Sequence, residues 1–227
     1  MSKELFLREM RRLGVDVSRE TAGRLDALVE TLVRWQKAIN LVGRATLDDA
    51  WSRHVLDSAQ LGPLVPDEAE SLVDLGSGAG FPGLVMAALN PHLSVTLVEA
   101  DARKAAFLGE AARRMSLPRL PGIVVGRIGE VAPTKANIVT ARALAPLPQL
   151  LAWADLYRTD NAICLFHKGK DWRAELTEAM KNWDIPHTPL SSVTDRDAVI
   201  LRIGQYTPTG LRDRQPEGRR RQDNNGD

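Results

Sequence analysis

The sequence predicts an α/β fold: a mostly parallel sheet covered by helices on both faces, with an antiparallel strand at one edge and a small helical extension in front. Three observations predict it. Short apolar runs bounded by Gly and Pro recur from Ser71 onward, helical stretches separate them, and the first seventy residues carry only helical periodicity. Residues 1–66 form the helical extension, 67–206 the α/β domain and 207–227 a disordered tail.

In the extension, Ser18 is the N-cap of a helix whose apolar face carries Leu25, Leu28, Val29, Leu32, then Trp35 or Gln36, and Ile39. Thr46 to Leu61 repeats the pattern more weakly, with Leu47, Ala50, Trp51, His54, Val55 and Ser58 on one side, and Pro63 and Pro66 close the region. The strand-like runs are Ser71–Leu75, Val95–Val98, Gly122–Val125, Asn137–Ala141, Ala162–His167 and Ala198–Ile203. No clear crossover helix follows the segment Asp171–Trp183, which places an antiparallel strand at that edge. Beyond Tyr206 the chain lacks apolar periodicity and is rich in Arg, Asp, Asn, Gly and Pro, so disorder is expected.

At 227 residues the chain holds one main core. No apolar run approaches a membrane span, and the charged N-terminus offers no hydrophobic region of a secretory signal. Cys164, the single cysteine, excludes an intrachain disulfide and a Cys-based zinc site; a cytoplasmic protein is expected. The net charge of +1 predicts no polyanion partner by itself. The tail from Pro208 carries five arginines against four acidic residues, which leaves 25 of each sign in residues 1–207. Nucleic-acid binding would depend on local clusters such as Arg103-Lys104, Arg113-Arg114, Lys168/Lys170 and Arg219-Arg220-Arg221, which otherwise read as solvated faces.

The most informative stretch is Val73-Asp74-Leu75-Gly76-Ser77-Gly78-Ala79-Gly80-Phe81-Pro82-Gly83, a strand entering a glycine-rich turn before a helix from about Leu84. Such glycines let the backbone turn tightly against a ligand. Gly78, Gly80 and Gly83 satisfy G-x-G-x-x-G, and Glu99, nineteen residues past Gly80, can hold the two hydroxyls of a ribose. Asp74 separates the two cofactor classes that use this arrangement. A carboxylate beside the turn repels the pyrophosphate of NAD but favours the ammonium and sulfonium of S-adenosylmethionine. Adenosylmethionine is therefore the expected cofactor, and an NAD(P)-dependent oxidoreductase the alternative.

Trp35-x-x-x-Ile39-Asn40-Leu41, His54-x-x-Asp57-Ser58 and the loop ending Gly80-Phe81-Pro82-Gly83 together resemble the bacterial 16S rRNA guanine-N7 methyltransferases, the glucose-inhibited division protein B family. Arg142-Ala143 and Lys168-Gly169 agree with it, and the likeness covers about residues 5–205. It implies a class I methyltransferase fold, Rossmann-like with seven strands, transferring methyl from adenosylmethionine to guanine N7 at position 527 of 16S rRNA. It also implies a cofactor site of Asp74, Gly76, Gly78, Phe81, Glu99 and Arg142, with Arg142 as the catalytic candidate. The family's Arg-Ala-Glu is here Arg127-Ile128-Gly129-Glu130, so the adenine-side contact falls on Ile128 or Gly129. Arg103 and Lys104 stand where paired lysines are common, and with Lys168 they are the RNA-binding candidates.

The partner so implied is 16S rRNA, naked or in a 30S subunit, met by a monomer; another RNA or a small-molecule acceptor is the alternative, as is an RNA-binding domain with an inactive cofactor site. Arg142 ends the fourth strand, on the carboxyl edge where open α/β folds bind ligands, and can serve the cofactor or the RNA. His54 and Asp57 share a helical face and read as a packing pair, with an RNA contact as the alternative. The five tryptophans read as packing residues and Cys164 as inert core.

Overall fold

The structure, a computed structural model, describes residues 3–209. Helix α1 (Lys3–Arg12) precedes α2 (Arg19–Trp35), whose first turn is capped as expected: Ser18 Oγ accepts the Thr21 N–H at 3.0 Å. The periodicity from Thr46 to Leu61 does not become one helix. It breaks into α3 (Arg44–Leu47), a π-helical turn (Trp51–Leu56) and α4 (Asp57–Ala59), followed by a 3-10 turn at Gly62–Leu64 that contains Pro63.

Strand–helix alternation then sets in: β1 (Ser71–Leu75), α5 (Gly83–Leu89), β2 (Ser94–Glu99), α6 (Ala102–Arg114), β3 (Gly122–Val125), β4 (Ala136–Arg142), α7 (Leu147–Tyr157), β5 (Arg158–Lys168) and α8 (Trp172–Ala179). The chain ends with β6 (Trp183–Asp184), β7 (His187–Ser191), β8 (Val199–Ile203) and β9 (Thr207–Pro208). Seven strands form one sheet in the order β3-β2-β1-β4-β5-β8-β7. The first five pair in parallel, while β8 runs antiparallel to both β5 and the outermost β7. Strand β7 has no counterpart in the sequence reading because it carries no apolar run and contains Pro189, a residue tolerated there since an edge strand leaves some N–H positions unpaired. Paired backbone extends just past Tyr206, where β9 joins β6; from residue 210 the expected disordered tail lies outside the described residues.

The sheet is buried on both faces. Val73 and Leu75 of β1 point into a core with Leu150, Leu151 and Ala154 of α7, while Leu72 joins the opposite one. That second core includes Leu25, Leu28 and Leu32 of α2 together with Phe107 and Leu108 of α6, so the extension shares its apolar interior with the sheet. Trp35 packs edge-on against Phe107 at 5.8 Å and Trp51 lies 5.2 Å from Phe6, both as packing residues. No helix among the described residues is long and apolar enough to cross a membrane.

Strand order reverses beside β1, whose neighbours β2 and β4 are entered from opposite directions, and this opens a crevice at the carboxyl ends of β1 and β4. The crevice depends on how closely α5 approaches the sheet. A Cβ on Gly83 would overlap the Leu97 side chain and come within 2.8 Å of Asp74 Oδ2. Gly83→Ala is therefore expected to destabilise the protein by about 1–3 kcal/mol, the range of an overpacked core, read as a lowered unfolding midpoint in urea.

Candidate active site

The crevice is a cavity of about 1190 Å³. Its floor is the glycine loop. Gly76 and Gly78 hold φ of +66° and +55°, and a Cβ on Gly76 would come within 2.5 Å of Leu144 Cδ1. Glu99, at the end of β2 and 8% exposed, accepts the Gly78 N–H at 2.7 Å with Oε2 and the Asp101 N–H at 2.8 Å with Oε1. Both carboxylate oxygens are thus anchored at the cavity wall, and each retains a lone pair for a hydroxyl donor.

Asp74 lies beneath this floor, 1% exposed, and is not among the residues that line the cavity. Its Oδ1 accepts the Thr140 hydroxyl at 2.7 Å and its Oδ2 the Gly83 N–H at 3.2 Å, tying β1 to β4 and to the start of α5. The sequence reading put this carboxylate in contact with the cofactor; the fold uses it to hold the loop. Burial pushes it up to about 6, against the hydrogen bonds of Thr140, Ser77 and Gly83.

The other wall comes from the N-terminal extension. Arg142, at the end of β4, donates from Nη1 to the Arg53 carbonyl at 3.0 Å and to Asp57 Oδ2 at 3.1 Å, and from Nη2 to His54 Nδ1 at 3.2 Å. His54 Nε2 then faces Thr46 Oγ1 at 2.9 Å, and that hydroxyl donates to the Gly43 carbonyl at 2.7 Å. Because Arg142 can only donate, Nδ1 of His54 accepts and Nε2 carries the proton. Burial and the Arg142 charge push His54 down to about 4, so it is neutral near pH 7. Its ring stacks on Phe81 at 5.2 Å and 28°, and the Arg142 guanidinium lies 5.3 Å from the Phe81 centroid.

Burial raises the Asp57 carboxyl, but His167, the Thr194 hydroxyl and Arg142 together hold it below its ordinary value. Its Oδ1 accepts from Thr194 Oγ1 at 2.7 Å. His167 at the end of β5 donates from Nε2 to the Asp57 carbonyl at 2.7 Å, and burial lowers its pKa. His54 and Asp57 are satisfied not by each other but by Arg142, and both line the cavity, His54 from the π-helical turn and Asp57 from the first position of α4.

Phe81, Glu99, Ile128, Arg142 and Lys104 line the cavity; Gly129 and the exposed Arg103 do not. Lys168 lines it but is only 7% exposed, its ammonium paired with Glu175 at 2.5 Å and donating to the Ala145 carbonyl at 3.1 Å. Those two contacts pin the 143–147 loop and leave one N–H of the ammonium at the cavity wall. Sequence reading missed Gln36 and Thr194. Gln36 Oε1 accepts the N–H groups of Leu41 and Val42 at 2.9 and 3.0 Å, and so shapes the cavity rim. Neither residue carries a motif signal, since an isolated Gln or Thr is identified only by the backbone it meets.

Two buried groups titrate in opposite senses. His54, lowered from 6.5 to about 4, contributes stability that is present above pH 6.5 and lost as pH falls through 4. Asp74, raised from 3.8 to about 6, contributes stability that is present below pH 3.8 and lost as pH rises through 6. The two offset each other between pH 4 and 6. Asp74→Asn removes one side of the balance, so its unfolding free energy is expected to fall more steeply than the wild type's from pH 6 to 4, by up to about 1.4 kcal/mol per pH unit in urea titrations.

The family model described as rRNA small subunit methyltransferase G matches residues 22–199. A protein named ribosomal RNA small subunit methyltransferase G from Paramagnetospirillum magneticum is 50% identical over 191 residues, covering 84% of this chain and 92% of its own. A protein of the same name from Cereibacter sphaeroides is 44% identical over 193 residues, covering 83% and 93%. Among solved structures, the O-methyltransferase TomG of Streptomyces achromogenes, in complex with SAM, has a TM-score of 0.56 at 13% identity, over 90% of this chain and 99% of its own. An O-methyltransferase from Bacillus cereus, in complex with SAH, has 0.55 at 11%, over 90% and 100%. At such identities these two establish the fold alone, that of a class I methyltransferase. The match over most of the sequence, at up to half identity, is what places the chain in the rRNA small subunit methyltransferase G family.

Proposed function

We propose that this protein transfers the methyl group of S-adenosylmethionine to N7 of a guanine in 16S rRNA, acting as a cytoplasmic monomer in which residues 1–66 and 67–206 build one site. The observation that carries the reading is Glu99, anchored by Gly78 and Asp101 at the end of β2 and facing the cavity beside an open glycine floor. That geometry suits a ribose on Glu99, an adenine against Ile128, and the amino-acid end over Gly76 and Gly78. Bound there, adenosylmethionine supplies a methyl group on a sulfonium, ready for in-line displacement.

Guanine N7 already offers a lone pair and has no proton to lose, so the residues around it need only position it and exclude water. An arginine forked across O6 and N7, a common reader of guanine, would block the nucleophile. Arg53, Asp57 and His54 take three of the five N–H groups of Arg142 and turn the guanidinium toward the extension, which leaves it to contact O6 alone, a phosphate or the cofactor. Neutral His54 and anionic Asp57 keep their protonation states from pH 6.5 upward.

Incubating the protein with labelled adenosylmethionine and either 16S rRNA or 30S subunits, then mapping the modified nucleotide, tests the reading directly. The expected product is 7-methylguanine in 16S rRNA; NAD(P)H binding without adenosylmethionine binding would overturn it. Glu99→Ala should weaken cofactor binding by about 10- to 100-fold in calorimetry, as charge-assisted hydrogen bonds are lost. The single-turnover rate is expected to stay flat from about pH 6.5 to 9, since no group of the site titrates there in the proposed chemistry. A rising limb would indicate an acceptor that must release a proton.

A further inference from the structure

We propose that a second hollow beside the catalytic cavity holds a backbone phosphate of the RNA whose base is methylated, an inference that rests on the reading of the substrate as RNA. The hollow, about 310 Å³, opens between the loop after β5, the start of α8 and the β7–β8 hairpin. Lys170, Arg173 and Arg196 converge on it against a single carboxylate, Asp197. Among the described residues none of these three cations takes part in an ion pair. Lys168, two residues before Lys170, shows the contrast: it is buried and neutralised by Glu175. Three cations against one carboxylate leave the concavity net positive, which is the footprint of a polyanion.

Geometry selects a phosphodiester over other anions. Arg173 lies over the Trp172 ring at 4.3 Å, which holds the guanidinium at the hollow, and a guanidinium can meet two oxygens of one phosphate. Arg196 and Asp197 sit in a short turn held by Asp195, whose Oδ1 accepts the Asp197 N–H at 3.0 Å and whose carbonyl accepts the Ala198 N–H at 3.2 Å. Ala198 and Val199 form walls of both the hollow and the catalytic cavity, so a strand whose base occupies one passes directly to the other. An acidic protein surface is less suited, because a concave site that shares a wall with the base pocket matches a chain already threaded there. Contacts of this kind fix register and orientation without reading sequence.

The test measures binding of 16S rRNA over a salt series for the wild type, the singles Lys170→Gln and Arg196→Gln, and the triple variant Lys170→Gln/Arg173→Gln/Arg196→Gln. Lys181→Ala, an exposed cation already paired with Glu178, is the control. The triple variant is expected to lower the slope of log K against log salt by about 0.7, the value for one neutralised phosphate on a single strand, and each single by a part of that. RNA affinity should drop about 10- to 100-fold, while adenosylmethionine affinity, the unfolding midpoint and the rate at saturating RNA stay at wild-type values. Folded variants with wild-type salt slopes would overturn the proposal even if the wild type methylates rRNA. Weaker binding to 30S particles but not to protein-free rRNA would also overturn it, by assigning the hollow to a ribosomal protein. Absence of rRNA binding or methylation by the wild type would instead overturn the underlying reading.

Discussion

Arg142 leaves the end of β4 and is shared among the Arg53 carbonyl, Asp57 and His54, three acceptors supplied by the N-terminal extension. A guanidinium at 18% exposure needs such partners, because removing a charge from water is costly unless it is hydrogen-bonded and paired. Those partners set the remaining geometry. Asp57, held by Arg142, engages Thr194 near the β7–β8 hairpin and, through its carbonyl, His167 on β5. His54 is kept neutral and stacked on Phe81, which belongs to the glycine loop. One charge thus fixes the relative positions of the extension, the loop and the far edge of the sheet. Ala143, the next residue, holds φ of +50°, an uncommon conformation for a residue with a side chain, and sits at the turn that delivers Arg142 to its partners.

What the sequence made legible was local. The helix cap at Ser18, the alternation from Ser71 and the glycine loop all lie within a few residues of the signals that mark them, and Glu99 follows its loop at a recognisable interval. Contacts across the chain were not legible. Arg142 and Asp57 are 85 residues apart and Thr194 and Asp57 137, so no spacing rule couples them. Lys168 and Asp74 mark the same limit from the other side. Their identities and their place at the carboxyl edge suggested ligand contacts, yet Glu175 neutralises one and Thr140 with Gly83 takes up the other. A charged residue near a site faces the ligand only if nothing closer satisfies it, and that is decided by tertiary packing. Strand β7 was hidden for a different reason: Pro189 argues against a strand everywhere except at an edge.

Two carboxylates illustrate how this fold accommodates charge at a site that must admit a cation. Asp74 is held beneath the floor, where it braces the loop without reaching the cavity, while Asp57 keeps its negative charge at the wall through hydrogen bonds and Arg142. One carboxylate braces the loop from below and the other holds the Arg142 guanidinium at the wall, so the two shape the site from different sides.

The shared interior of α2, α6 and the sheet bears on how such a protein can change over evolutionary time. A helical segment that met the sheet only through a linker could be exchanged by recombination, giving the same chemistry a new substrate. Here Leu25, Leu28 and Leu32 are embedded in the common core, and the extension also carries the acceptors that Arg142 requires. A transplanted segment would have to match an apolar surface and a charge at once. Exchange of the extension as a unit would cost both the common core and the partners of Arg142, so the helical segment and the sheet behave as one inheritable piece.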